Sequence, residues 1–430
     1  MSKQKKILII VENSTAPSDP RIWHEAQELR RCGYEVSIIC PQDENHDQEA
    51  YICIDTIHIY RYKPSGTVHK ATDYFKEYVV AMFKIFGLSF KVWYQHGFDA
   101  IHVANPPDIF FVIALFYRLF GKKCIFDQHD LTPVVFQVKF QGRKNFIYKV
   151  LRFMERCSYH TANMVITTNE SQKRMAIERG RCRPEKVFIV RNGPDLERYT
   201  LVTPEPELKM GHGYLLAYVG VMSKQDGVEN TLYAMHELVH HRGRRDTGLV
   251  LMGDGDQFTY LKELAHKLEL DEYVHFAGWV TKADILRYLS VTDMGLSPDP
   301  SNNLNDYSTM LKTMEYMAMS KPVVAFDLPE TRYSAQDAAL YATSNRIGEF
   351  ADQIETLLNN EELRLQMGAT GRKRIENDLC WNHTKEVLGL AYGSLFQVDP
   401  KSLSENRSGN GGIGKKSREA NAENTPVGSK

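Results

Sequence analysis

STMLKTMEYMAMSKPVVAFD, residues 308–327, reads as an amphipathic helix that runs into a buried strand. Met310, Leu311, Met314, Met317 and Ala318 recur with the 3.6-residue period of a face packed on a core. Asp306, Ser308 and Thr309 are capping residue types, which predicts a helix over 308–319, and Pro322 marks its end before the apolar run PVVAFD. Lys312 and Glu315 interrupt the pattern at spacing i, i+3, beside the apolar face and close to the positive end of the helix dipole. A cation and a carboxylate there suit a ligand that carries both phosphate and hydroxyl groups. An ion pair between the two, or a solvated glutamate, is the plain alternative.

The same alternation recurs along the chain. Short apolar runs KILIIV, EVSIIC, DAIHVA, KCIFDQ, MVITT and KVFIV separate amphipathic segments in the first half, and YLLAYVG, GLVLMG, YVHFAG, DMGLSP and PVVAFD do so in the second. Strands alternating with helices imply parallel sheets joined by right-handed crossovers, one sheet per half. The expected fold class is α/β, with two Rossmann-like, doubly wound domains at 1–195 and 208–380. NGPDLERYTLVTPEPE (192–207), with three prolines and little periodicity, reads as the hinge. A helix over 381–398 is expected to cross back onto the first domain, and 399–430 lacks apolar periodicity and reads as disordered. Open parallel sheets bind ligands at the carboxyl ends of their strands. Two facing sheets would therefore place a central cleft between the domains, with Lys312 and Glu315 at its edge.

At 430 residues, 43% hydrophobic and 25% charged, the chain has the composition of a soluble globular protein too long for one core. Its net charge of -1 hides an asymmetry: residues 1–200 hold 29 Lys+Arg against 22 Asp+Glu, a net of +7, which leaves -8 for the rest. The first half is thus expected to meet something anionic, and without a nucleic-acid motif that partner is not nucleic acid. Seven scattered cysteines without a CxxC pair favour a reducing compartment and offer no metal cage. Asp254-Gly255-Asp256 has the form of a divalent-metal motif, but between a strand and a helix it reads as a turn, and no metal is expected. The apolar run 109–120 is too short to span a bilayer. Segments 75–94 and 139–156 combine helically spaced aromatics with lysines and arginines, the pattern of helices lying in an anionic interface, although packing on the sheet explains their apolar faces as well. A cytoplasmic protein in peripheral contact with the inner face of an anionic cell membrane is the expectation.

Seven motifs in series resemble one family. They are VENSTAPSDPRIWHEAQELRRCGYEVSIICP (11–41), FDQHDLTP (126–133), VRNGPD (190–195), GVMSKQDGVENTLYAM (220–235), VLMGDGDQ (250–257), HFAGWV (275–280) and STMLKTMEYMAMSKPVVAFDLPETR (308–332). Over residues 6–395 the chain is similar to the GT-B glycosyltransferases of family 4, the group 1 type that builds bacterial surface polysaccharides. The resemblance implies a retaining, metal-independent transferase without a cofactor, taking a nucleotide-sugar donor, a UDP-sugar rather than a GDP-sugar. The acceptor would be a glycan or lipid-linked glycan.

The resemblance also implies roles for residues. Glu315 matches the glutamate that bonds the donor ribose, with Ser308, Thr309 and Lys312 at the helix start for the diphosphate. Gly220 lets the loop after its strand approach the phosphates. The family has a second helix glutamate, for the donor-sugar hydroxyls, where this chain has Tyr307, so the Tyr307 hydroxyl or Asp306 would take that catalytic-site place; it has cations where this chain has Val221 and Asp226, so Lys224 is the nearest remaining cation. His129 and Asp130 end the strand KCIFDQ, where a histidine can orient a sugar hydroxyl and share developing charge. Val134 stands where relatives tend to carry glutamate. Asp19 and Arg21, in the first strand-to-helix loop, read as acceptor-side or loop-fixing residues, or as helix caps. Two other readings stay open: a nucleotide-sugar epimerase of the same fold, and a non-catalytic scaffold subunit.

Overall fold

A computed structural model of the chain describes residues 4–43, 48–64, 71–139 and 146–397. It divides into two compact units, one of Met1–Arg191 together with the described residues 384–397, the other of Asn192–His383. The first is built on β1 (Lys6–Ile10), β2 (Glu35–Pro41), β3 (Tyr51–Ile54), β4 (Ile57–Tyr62), β5 (Ala100–Ala104), β6 (Lys123–Gln128), β7 (Met164–Thr167) and β8 (Val187–Ile189). Their order is β3-β4-β2-β1-β5-β6-β7-β8, parallel except for the antiparallel edge strand β3. The second holds β9 (Tyr214–Val219), β10 (Thr247–Met252), β11 (Val274–Gly278), β12 (Met294–Ser297), β13 (Val323–Phe326) and β14 (Ala339–Ala342), in order β11-β10-β9-β12-β13-β14 and all parallel. In each sheet the order reverses beside its first strand, between β1 and β5 and between β9 and β12. A crevice forms at the carboxyl ends there.

Both faces of each sheet are covered, which is why the strands read as continuous apolar runs. Along β9, Leu216 and Tyr218 share a core with Leu261, while Leu215, Ala217 and Val219 share the opposite one with Met314 and Met317. The methionine stripe of 308–327 is therefore core. Its helix, however, is Leu311–Ala318, with Met310 at the N-cap and no side-chain cap bond. Asp306 and Tyr307 lie instead in a separate 3-10 turn, Asn305–Tyr307, and the Ser308 hydroxyl donates to the Leu304 carbonyl at 2.9 Å.

The hinge segment also differs from expectation. The second unit begins at Asn192 rather than after 195, because 192–207 is anchored within it. Tyr199 is buried in its core, and the Trp381 N–H donates to the Pro194 carbonyl at 3.1 Å. The C-terminal helix is Trp381–Phe396, and from Thr384 it belongs to the first unit, where Tyr392 lies fully buried beside Tyr34. The expected tail at 399–430 lies outside the described residues.

Candidate active site

In the second unit, side chains gather where β9 and β12 end. Gly220 and Gly253 continue β9 and β10 with φ of 144° and 139°, and a Cβ on Gly253 would fall 1.9 Å from the Gly220 carbonyl oxygen. Only glycine allows the two strand ends to run this close. Past β12, Asp299 is buried and takes two side-chain hydrogen bonds, from the Ser297 hydroxyl at 2.7 Å and from Lys312 Nζ at 2.6 Å. The Lys312 stem passes Gly220, and its ammonium stands 5.0 Å from the centre of the Tyr218 ring. Lys312 is 9% exposed. Asp226 closes the turn Lys224–Asp226 by accepting from the Ser223 N–H at 3.1 Å. Burial pushes its carboxyl up to about 6, Asp299 and Asp256 add to that, and Lys312 works against it.

Lys312 and Glu315 do not pair with each other. Glu315 Oε1 accepts from Lys282 Nζ at 3.1 Å and from the Tyr199 hydroxyl. The Lys282 ammonium in turn stands 3.3 Å from the centre of the Tyr199 ring. Burial lowers Lys282 below the ordinary lysine value, against the pull of Glu315. Both protein donors fall on Oε1, and among the described residues none falls on Oε2. Asn305 ties the surrounding loops together by donating to the carbonyls of Gln225 and Pro300, each at 2.8 Å. Lys224 stands exposed in its turn, apart from the Asp299–Lys312 pair. Asp254 closes its own turn, accepting from the Gly255 N–H at 2.8 Å. Sequence reading missed Asp299, Tyr199 and Lys282. Asp299, two residues past an apolar strand, carried a usable signal; Tyr199, in a segment without periodicity, carried none.

In the first unit, Asp19 is the N-cap of the helix Pro20–Arg31 and accepts from the Ile22 N–H at 3.0 Å. Of the roles considered for it, capping is the one its geometry performs. Arg21, the second residue of that helix, is buried rather than presented to a ligand. Its Nη2 lies 2.7 Å from Asp127 Oδ1 and 3.1 Å from Glu25 Oε1, and its Nη1 donates to the Val190 carbonyl at 2.8 Å. It thereby ties a helix to the ends of β6 and β8.

His129 Nε2 stands 2.6 Å from Asp127 Oδ2 and 2.9 Å from Arg21 Nε. The Asn105 side-chain oxygen accepts from the backbone N–H groups of His129 at 2.7 Å and Asp130 at 3.1 Å, which fixes the turn that presents them. Burial alone would raise the Asp127 carboxyl, but Arg21 and His129 hold it well below the usual range. Burial works against a charged His129, yet Asp127 raises it above the ordinary histidine value. His102 and Glu25 complete the buried group. Glu25, His102 and Asp127 bring three potential metal-ligand atoms within 4.8 Å of one another, and Arg21 already supplies a cation to both carboxylates.

Comparisons with known proteins agree across both units. The family model described as Glycosyl transferases group 1 matches residues 213–360, and the one described as Glycosyltransferase Family 4 matches residues 21–198. The chain is 21% identical over 419 residues to the chitobiosyldiphosphodolichol beta-mannosyltransferase of Debaryomyces hansenii, covering 89% of this chain and 87% of that one. Among solved structures, sucrose-phosphate synthase from Thermosynechococcus elongatus superposes with a TM-score of 0.73 at 16% identity, over 92% of this chain and 100% of that one. Anabaena HepE, solved in complex with UDP, does so with a TM-score of 0.67 at 14% identity, over 91% and 100%. These likenesses carry the two-sheet GT-B fold.

Proposed function

This chain belongs to the group 1, family 4 glycosyltransferases of the GT-B fold, and from that premise we propose that it moves a sugar from a nucleoside-diphosphate donor to a hydroxyl of a lipid-linked glycan. The observation that carries the reading is the passage of the Lys312 stem beside Gly220 at the end of β9, with Glu315 one turn further along the same helix and its Oε2 without a donor among the described residues. Glu315 Oε2 accepts from a ribose hydroxyl while Lys282 and Tyr199 hold the other oxygen. Lys312 and the N–H groups that open its helix take the diphosphate. Ser308 and Thr309 lead into that helix start, Lys224 adds an outer cation, and Tyr307 stands in for the absent second glutamate. In the first unit, His129 orients a hydroxyl of the reacting sugar, with Asp130 beside it. Retention of configuration and transfer without a divalent metal belong to the same reading; the anomer of the product and activity in the presence of a chelator check them.

A panel of UDP- and GDP-sugars, read by melting shift and by release of free nucleotide, tests the donor side. One donor is expected to bind and turn over, a UDP-sugar. Glu315→Gln, which keeps an oxygen for Lys282 and Tyr199, should weaken its binding by about 1–2 kcal/mol. Unchanged affinity would remove the ribose assignment, and no binding by any donor would remove the reading itself.

The lipid-linked acceptor is supported by the surface of the first unit. No helix among the described residues is long and apolar enough to cross a membrane. The helix Ala71–Gln95 buries Ala81, Ile85 and Val92 on one face and exposes Phe83, Phe90 and Tyr94 on the opposite one. Phe86 and Phe90 pack edge-on against Phe116 of the helix Phe111–Arg118; Val112 and Leu115 of that helix and Leu119 just past it are exposed, and Phe120 is half-exposed beside Trp93. The adjacent helix Phe146–Thr161 exposes Phe146, Ile147 and Phe153 beside Lys149 and Arg156. Residues 140–145 of the second expected amphipathic segment lie outside the described residues. An apolar, basic face of this kind suits peripheral docking on the inner, anionic leaflet of the cell membrane. The protein should float with vesicles containing phosphatidylglycerol at low salt, and changing Phe83, Leu119 and Phe146 to glutamate together should leave it in the soluble fraction. Failure of the unaltered protein to float even at low salt would sink the docking surface.

A further inference from the structure

We propose that Asp226 takes up a proton when the donor binds and meets its diphosphate as a neutral carboxylic acid, so that donor affinity falls as pH rises. The inference rests on the donor site proposed above and gives Asp226, which has no part in that reading, a place in it. The loop that carries Asp226 leaves β9 at Gly220, beside the Lys312 stem, and is pinned on both sides. The Met222 N–H donates to the Asp254 carbonyl and the Met222 carbonyl accepts from the Gln257 N–H, each at 2.9 Å, which ties it to the loop after β10. Asn305 holds the Gln225 carbonyl at 2.8 Å, which ties it to the loop after β12. Gly227 has φ of 61°, and a Cβ on it would fall 2.7 Å from the Pro298 carbonyl oxygen, so the turn lies directly on the segment that carries Asp299. Asp226 is thereby fixed where β9, β10 and β12 end together.

Charge at this place is unbalanced. Among the described residues, Lys224 and Lys312 stand with Asp226, Asp256 and Asp299, which leaves one carboxylate in excess before a ligand arrives. A nucleoside-diphosphate sugar brings two more negative charges. In a half-buried site such repulsion is strong, and protonation of one carboxyl relieves it. Asp299 has its cation at hand in Lys312, at 2.6 Å. Asp256 is exposed, so water and salt screen it. Asp226 has neither relief: its Oδ2 accepts from the Ser223 N–H, a neutral donor, and no described residue bonds its Oδ1. The groups acting on it are Lys312 from the helix Leu311–Ala318, Asp299 past β12 and Asp256 past β10. Asp226 and Glu229, from the following helix, both act on Tyr218 of β9, whose hydroxyl donates to the Val221 carbonyl at 2.7 Å. Burial, with Asp299 and Asp256, has already brought the Asp226 carboxyl up to about 6, against the pull of Lys312. A diphosphate raises it further. Once protonated, Asp226 keeps Oδ2 for the Ser223 N–H and turns an O–H on Oδ1 toward a phosphate oxygen.

The sign follows from the two states. The complex holds the proton to higher pH than the free protein does, so affinity is full below the free value and is lost as pH rises through it. Donor affinity should change less than about 2-fold from pH 5 to pH 6 and fall roughly 10-fold from pH 7 to pH 8. Calorimetric titration of the full chain with UDP-glucose and with GDP-mannose, in PIPES and in Tris, counts the protons. Both phosphates of these probes are esterified and do not titrate in this range, so the uptake belongs to the protein. About 0.9 proton should enter per donor bound at pH 7. Asp226→Asn keeps an oxygen for the Ser223 N–H and sets an N–H donor where the acid O–H would stand. It should bind without proton uptake and, at pH 8, about 10-fold or more tighter than the parent. Binding without uptake in the parent would overturn the proposal, and this count decides alone if the variant fails to fold. Equal uptake in parent and variant would overturn it as well. So would affinity that rises with added magnesium while no proton enters, because a divalent cation then balances the charge. Failure of both probes to bind at any pH would overturn the donor reading itself, and the proposal with it.

Discussion

Lys312→Met is expected to lower stability by about 3–5 kcal/mol, because it leaves the buried Asp299 carboxylate without its cation. Met fills the volume of the lysine stem beside Gly220 and the Tyr218 ring, so the loss comes from charge rather than from a cavity. Asp226 deepens the effect, since Lys312 also offsets the burial that pushes its carboxyl up. The same change should abolish detectable donor binding, and the two losses can be separated. Lys312→Met with Asp299→Asn removes both charges of the pair and should recover most of the stability in urea denaturation. Donor affinity should stay lost. A double variant that binds donor normally would show that Lys312 serves the fold and not the phosphates, and a single variant as stable as the parent would show that Asp299 finds another partner.

Arg21→Met is expected to cost a similar amount, about 3–5 kcal/mol at neutral pH, and its cost should depend on pH. The folded Asp127 carboxyl is held below its ordinary value, so it contributes stability that is present above the unfolded value of about 4 and lost as pH falls through the folded one. Arg21 is the foremost group opposing burial there, and it also opposes the burial that raises Glu25. Without it both carboxyls rise, the folded state holds protons that the unfolded chain has released, and stability falls as pH rises. The gap between variant and parent should therefore widen from pH 5 to pH 7.5 in denaturant midpoints. An equal gap at both would mean that Arg21 acts through its bond to the Val190 carbonyl and through packing alone.

Period and apolar continuity made the two parallel sheets legible, because strands buried on both faces leave little room for polar residues. The hairpin of β3 and β4 was not legible. Its turn is Asp55-Thr56, with φ of 50° and 64°, where a glycine would have announced the left-handed pair, and β3 lies half-exposed at the sheet edge. The candidate site was legible where a charged residue broke an apolar pattern, as Lys312, Glu315, Arg21 and His129 do. Their pairing was not: Asp299 stood at a strand end where a polar residue could be noticed, but that it meets Lys312, and that Lys282 and Tyr199 meet Glu315, comes only through tertiary folding. Spacing joined Lys312 to Glu315 because they are neighbours on one helix surface, whereas each is drawn to a more buried partner off the helix.

The return of the helix Trp381–Phe396 to the first unit has a consequence for synthesis. A ribosome finishes all eight strands of the first sheet before it begins the second unit, yet the helix that covers Tyr34 and satisfies His102 emerges only after Asn192–His383. Throughout that interval the nascent first unit exposes an apolar seam and a buried-type histidine to water and to chaperones. The half made second can thus reach its final form first, and the half made first is sealed last.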